Sequence, residues 1–240
     1  MKRTALILSI LFSNALVAQV HTEKLQFEIR FGLINGGEAV YETTETNENK
    51  SNEIHAMLRV HTTGLINKIY KVDDCFESTF TKDQLLPNRS MKVLKEQKYR
   101  FEEEVEFDQE KEVALINQSG SQNIKRGICD VTSLMAHLRF SGKLDHLSQN
   151  QLIEIPFWDT AEWYLLKIKY TGIETIQTPF GETACLRLEP QEVSGRFFNK
   201  KNPMNIWVSN DERKLPLRME LNFTIGSVKC ELTPHPLKGE

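Results

Sequence analysis

The 240-residue sequence has little that announces chemistry. Its four cysteines, Cys75, Cys129, Cys185 and Cys230, are too few for a disulfide scaffold in a chain of this length. It contains no CxxC, HExxH or GxSxG motif and no phosphate-binding glycine loop. That leaves no sequence signature of thiol redox chemistry, zinc or serine hydrolysis, or nucleotide binding, so no catalytic residue is assigned. Charge of one sign is also scarce. Thirty Lys and Arg against 33 Asp and Glu give a formal charge of -3, which provides no general attraction to nucleic acid. No Pro/Ser-rich linker or long internal repeat divides the chain. After residue 18 no apolar run reaches the roughly 20 residues a membrane-spanning helix needs.

What is present begins with a leader. Lys2 and Arg3 precede the apolar run Ala5–Phe12, and the small residue Ala18 follows, the pattern of a cleaved secretory signal over residues 1–18. Cleavage there removes two positive charges and no negative ones, which takes the formal charge from -3 to -5. The first cysteine is Cys75, so the new N-terminus offers no thiol for a lipid anchor. Residues 19–240 are expected to be one domain, exported to the periplasm, soluble, and neither membrane-spanning nor lipid-anchored.

Period two dominates the remainder. Leu25, Phe27, Ile29 and Phe31 alternate with Gln26, Glu28 and Arg30, as in a strand with one buried face. Asn35-Gly36-Gly37 signals a hairpin, and Val40 is expected to face the core on the returning strand. Ile54, Ala56, Leu58 and Val60 alternate with His55, Met57, Arg59 and His61. Similar alternation covers 164–170, 184–189, 204–208 and 215–223, with turns at Thr178–Gly181, Ser209–Glu212 and Gly226. Helical spacing is confined to Val131, Leu134, Met135 and Leu138, with Asp130 as N-cap, and to a short turn over 65–70. The fold expected is all-β and mainly antiparallel. About 11–13 strands would curve into a barrel, half-barrel or sandwich, with one short helix packed on the sheet.

Few side chains combine into a constellation. His55 and His61 share a strand face but stand roughly 20 Å apart, too far for one metal ion. No metal site or cofactor is expected. Glu102, Glu103 and Glu104 read as a wet strand. Parity puts Cys185 on a polar face and Cys230 on an apolar one, so Cys185 is expected to be half-exposed; the pair best placed for a disulfide is Cys75–Cys129. Trp163 and Trp207 fall on nominally outward faces. Either the 131–138 helix covers them or they form an aromatic binding surface. Arg139 is a further candidate for ligand binding; the competing reading for Arg139 and Arg196 is a buried guanidinium that holds a carboxylate or backbone carbonyls.

Several phrases occur in an order that resembles the DUF3108 family of exported bacterial proteins of unknown function. They begin with Thr63-Gly64-Leu65, Tyr70-Lys71-Val72-Asp73-Asp74, Glu77-Ser78 and Leu86-Pro87. Cys129-Asp130-Val131-Thr132-Ser133, Leu138-Arg139, Gly181-Glu182 and Leu188-Glu189-Pro190 follow. Gly195-Arg196-Phe197-Phe198, Ile206–Asp211, Leu215-Pro216-Leu217 and Ile225-Gly226-Ser227-Val228 complete the set. The similarity is greatest to members from Bacteroidetes-like bacteria. It implies a curved antiparallel sheet with a short helix, and it brings no mechanism. Three functions are carried forward: non-enzymatic binding or carriage of an apolar or amphiphilic ligand such as a lipid, then an envelope interaction or assembly protein with a protein partner, then a hydrolase of envelope polymers. The first requires a cavity of a few hundred Å3.

Overall fold

A computed structural model describes residues 21–46, 53–117, 119–191, 203–222 and 227–234. The leader expected over residues 1–18, Arg196 with its neighbours 195–198, and the turn expected at Gly226 lie outside the described residues. In chain order the elements are β1 (His21–Phe31), β2 (Ile34–Thr46), β3 (Glu53–Thr62), α1 (Gly64–Ile69), β4 (Asp73–Thr81), β5 (Pro87–Glu96), β6 (Tyr99–Asp108), β7 (Val113–Ile116) and β8 (Gly120–Asn123). Then come α2 (Val131–Phe140), β9 (Leu152–Asp159), β10 (Glu162–Thr178), β11 (Gly181–Pro190), β12 (Met204–Ser209), β13 (Pro216–Asn222) and β14 (Ser227–Leu232).

The fourteen strands among the described residues form one antiparallel sheet in the order β8-β7-β6-β5-β4-β3-β2-β1-β14-β13-β12-β11-β10-β9. Each neighbour is also adjacent in sequence except β1 and β14, which join the two halves through Phe27↔Leu232, Ile29↔Cys230 and Phe31↔Val228. The sheet does not close on itself; β8 and β9 are its edges. Residues 124–151, with α2 among them, connect those edges. Cys129 adds a two-bond parallel bridge to β9, donating to the Pro156 carbonyl at 2.9 Å and accepting from the Trp158 amide at 2.8 Å.

Side chains close the remaining gap. Glu103 on β6 accepts the Trp158 indole at 3.0 Å and the Ala161 amide at 2.6 Å. Lys92 on β5 donates to Asp159 at 2.9 Å, with both side chains buried. Trp163 on β10 donates to the Asn123 carbonyl at 3.0 Å. Glu103, expected on a wet strand, therefore lies on a buried face.

Inside the curve, Phe27, Tyr41, Phe80, Leu166, Ile168 and Leu188 are almost wholly buried, each burial contributing about 1.5–3 kcal/mol for an aliphatic or Phe side chain. Helix α2 packs against β3, β4 and β9. Asp130 caps it as expected: its carboxylate accepts from the Ser133 amide at 2.9 Å, and the Ser133 hydroxyl accepts from the Asp130 amide at 2.9 Å. Such a cap contributes about 1 kcal/mol. Ser78 of β4 bonds the Asp130 carboxylate and contacts the Thr132 hydroxyl. Tyr41 donates to the Thr132 carbonyl at 3.1 Å.

Several local expectations change. Among the described residues the short helical turn expected over 65–70 is present as α1, and the strands number fourteen rather than 11–13. The first turn is Gly32-Leu33, where Gly32 has φ +59°. Gly36 and Gly37 lie in β2 instead. A Cβ on Gly36 would sit 2.6 Å from both Ile66 and Phe31, so glycine there lets α1 approach the sheet. A β1–β2 register shift at Ile29/Arg30 accompanies this. In β2 it is Ala39 and Tyr41 that enter the core, and Val40 is half-buried.

Candidate functional site

Between α2 and strands β11–β14 lies a cavity of about 270 Å3, partly open to solvent. Its origin is geometric. Helix α2 leans on the β3–β4 and β9 sides of the curved sheet, and its apolar stripe Val131, Leu134, Met135 and Leu138 does not fill the opposite side. Leu188, Ile206, Val208, Met219 and Leu221 form the facing wall. A register shift at Trp207/Val208 turns Pro216 rather than Leu217 into this wall, which single-strand alternation does not foresee.

Of the seventeen wall residues only Arg139 and Lys214 are polar, and both are cations. Arg139 is buried, its side chain 4% exposed. Its Nη groups donate to both Glu23 carboxylate oxygens at 2.6 and 2.8 Å, and its Nε donates to the Arg213 carbonyl at 3.1 Å. Arg139 thus holds a carboxylate and a carbonyl, as its structural reading anticipated, while also lining the cavity. Lys214 donates to the Asp211 carbonyl at 2.9 Å and lies 3.3 Å from Asp145. These two tethers pin the C-terminal end of α2 and the β12–β13 turn to the same end of the cavity.

The two tryptophans are not brought together. Trp207 is buried, and its strand neighbours Ile206 and Val208, not Trp207 itself, line the cavity. The guanidinium groups of Arg187 and Arg218 each sit 5.9 Å from its ring centre, and its indole donates to Glu174 at 3.1 Å. Guanidinium packing of this kind explains how a nominally polar face buries an indole. Trp163 is half-buried near the β8 edge with Val105, Phe107 and Trp158.

All four cysteines are free thiols. Cys75 is half-buried beside Glu77, whereas Cys129 is wholly buried next to β9, so the expected Cys75–Cys129 bridge is not formed. Cys185 is also wholly buried, packed in one cluster with Trp207 and Leu217, and not half-exposed. Burial raises the Cys185 and Cys129 thiols above their ordinary range, and Cys230, on the cavity wall, is pushed up to about 12. Thiols held protonated in this way are poor nucleophiles. Among the described residues no three His, Cys, Asp or Glu side chains converge as a metal set. The site offers apolar atoms a largely apolar wall beside two fixed cations.

A sequential antiparallel sheet curled around one helix and a part-filled interior defines a barrel-like β protein. A barrel-like protein of a domain of unknown function, DUF1849, from Brucella abortus has a similar fold, with TM-score 0.57 and 11% identity over 90% of this chain and 97% of that one. The chain belongs to the DUF3108 family, proteins of unknown function, whose pattern matches residues 26–233. A DUF1089 family protein from Pseudomonas aeruginosa matches 80% of this chain and 87% of that one, with TM-score 0.32 and 9% identity. No curated protein matches the sequence. Among the described residues no helix is long and apolar enough to cross a membrane.

Proposed function

We propose that this protein, exported to the periplasm after removal of residues 1–18, binds an apolar or amphiphilic ligand in the cavity beneath α2 and carries it without chemical change. The supporting observation is the cavity itself: about 270 Å3 walled by fifteen apolar side chains and two cations. Ligand pockets commonly span roughly 300–1,000 Å3, so this one suits a single acyl chain better than a multi-chain lipid. Arg139 and Lys214 favour an anionic or strongly polar head at their end. Their partners Glu23 and Asp145 hold them in place without filling the apolar space.

The test is native mass spectrometry of protein taken from its own periplasm without delipidation, joined to titration with a fluorescent fatty-acid probe. A co-purifying lipid-like mass and saturable 1:1 probe uptake are expected. Met219→Trp, which puts an indole into the cavity, is expected to weaken uptake about ten-fold or more while the fold persists, because one buried aliphatic contact carries about 1.5–3 kcal/mol. A clean apo mass and no uptake by the wild type would overturn the reading and favour the envelope-assembly alternative.

A further inference from the structure

Large apolar side chains are exposed unevenly. Of twelve such residues among those described, seven gather at one end of the sheet. Phe31, Leu33 and Ile34 form the β1–β2 tip, and Leu33 is 98% exposed. Leu65, Ile69 and Tyr70 project from α1 and its cap, and Tyr99 opens β6. Hydrogen bonds weld these pieces together. The Thr63 amide donates to the Gly36 carbonyl at 2.9 Å, the Gln97 amide to the Lys71 carbonyl at 2.8 Å, and the Gln97 side chain to the Ile69 carbonyl at 2.6 Å.

Helix α1 has no buried residue. A six-residue helix whose best-covered apolar residue, Ile66, is only half-buried gains little from the core, yet Gly36 leaves it room to sit against β2. Its consequence for the molecule is presentation: it holds two aliphatic side chains out in water beside the Leu33 tip.

Charge is arranged around this apolar tip. Arg30, Lys68, Lys71, Lys98 and Arg100 are all exposed there. The acids on the same strands are mostly withdrawn: Glu28 pairs with Arg30, Glu38 lies 3.7 Å from His61, and Glu96 accepts from the Tyr70 hydroxyl at 3.4 Å, all three being half-buried. Asp73 and Glu102 are exposed acids on neighbouring strands. Five exposed cations, two exposed acids and three half-buried ones thus surround the protruding aliphatic and tyrosine side chains, so the charge that reaches the surface is mainly positive. That combination matches a lipid interface, where apolar tips enter the acyl boundary and cations meet anionic headgroups.

We infer that the end built from the β1–β2 turn, α1 and the β5–β6 turn is a docking surface for an anionic lipid bilayer. The surface does not depend on the cavity, but the strand register relates the two. Met204 pairs with Leu221, Leu221 with Val228, Val228 with Phe31 and Phe31 with Ile34, so the Met204–Leu221 end of the cavity wall is level with the docking tip. A bilayer touching this end lies nearest the cavity's apolar end, away from Arg139 and Lys214.

Co-sedimentation of the mature protein with phosphatidylcholine vesicles, with and without phosphatidylglycerol, tests this at low and high salt. Binding is expected only to the anionic vesicles, and it weakens as salt screens the cations. Lys68→Ala and Lys98→Ala are each expected to weaken binding about five-fold. Leu33→Asp and Ile69→Asp are expected to weaken it at least about ten-fold, with the thermal midpoint unchanged because both residues are exposed. Met219→Trp, which alters the cavity, should sediment like the wild type, so loss of ligand uptake and loss of docking are separate results. The inference is overturned if the wild type stays in the supernatant, if Leu33→Asp binds as well as the wild type, or if only a protein from the envelope is retained.

Discussion

His137 is one of three described residues that bury a side-chain polar atom without a hydrogen-bond partner. It lies on α2, and its Nδ1 is buried with no hydrogen-bond partner. Burial, followed by the nearby Lys143 charge, pushes its pKa down to about 4. The imidazole is therefore neutral in the fold at pH 7, whereas in the unfolded chain it titrates near its ordinary value of 6.5. As pH falls below about 6.5 the unfolded state takes up the proton first, so stability declines towards pH 4 and this contribution then levels off. We predict that urea unfolding midpoints fall between pH 7.5 and 5 in the wild type and fall less in His137→Gln. Equal declines in both proteins would show that the imidazole is not held neutral by the fold. Its burial could not be read from the sequence, where His137 is simply a polar residue on the helix between Leu134 and Leu138.

At the scale of elements, the seam between β9–β10 and β5–β6 depends on charge. Lys92 and Asp159 are buried together, and the turn that follows has Thr160 and Ala161 at φ +45° and +61°. A two-residue turn with positive φ usually takes Asn or Gly. Here the Glu103 carboxylate and the Lys92 contact with the Thr160 hydroxyl at 3.3 Å hold less permissive residues. Removing one partner leaves a buried charge uncompensated, so Lys92→Met is expected to cost about 3–5 kcal/mol. Lys92→Met with Asp159→Leu should cost much less, because no charge is then stranded. Denaturant titrations of both variants check this, and equal losses would mean that the pair does not act as a unit. The pair's contribution is the choice of seam: an apolar edge would slide, while Lys92, Glu103, Trp158 and Asp159 match in one position only.

For the whole molecule, the decisive contact is β1 with β14. It joins strands about two hundred residues apart and makes one sheet from two meanders. Contacts so distant in sequence are slow to form, and folding in milliseconds to seconds or longer is expected. Ending the chain at residue 226 removes β14, strips β1 and β13 of a neighbour, and takes Cys230 from the cavity wall. That truncated protein is expected to lose cooperative thermal unfolding by circular dichroism; a sharp transition near the wild-type midpoint would show that the halves fold independently.

Much of this was legible because it is local. Alternation in 25–31, 54–60 and 164–170 marks one buried face whatever the partner strand is, and the 131–138 stripe with Asp130 marks a helix before any packing is known. An ordered set of short motifs also pointed to the family. The failures share another cause. Alternation says that two faces differ and leaves open what covers the second, so Cys185, Trp207 and Glu103 were assigned to wet faces that arginines or the seam in fact bury. The glycines at 36 and 37 looked like a turn, but the tight turn fell at Gly32 because α1 needed the space above β2. Sequence alone determined an antiparallel β protein with one capped helix, since hydrogen-bonding geometry and side-chain alternation act over a few residues. Tertiary structure decided the β1–β14 junction, the charged seam and the 270 Å3 cavity, since each depends on how surfaces distant in sequence meet and on the volume they fail to fill.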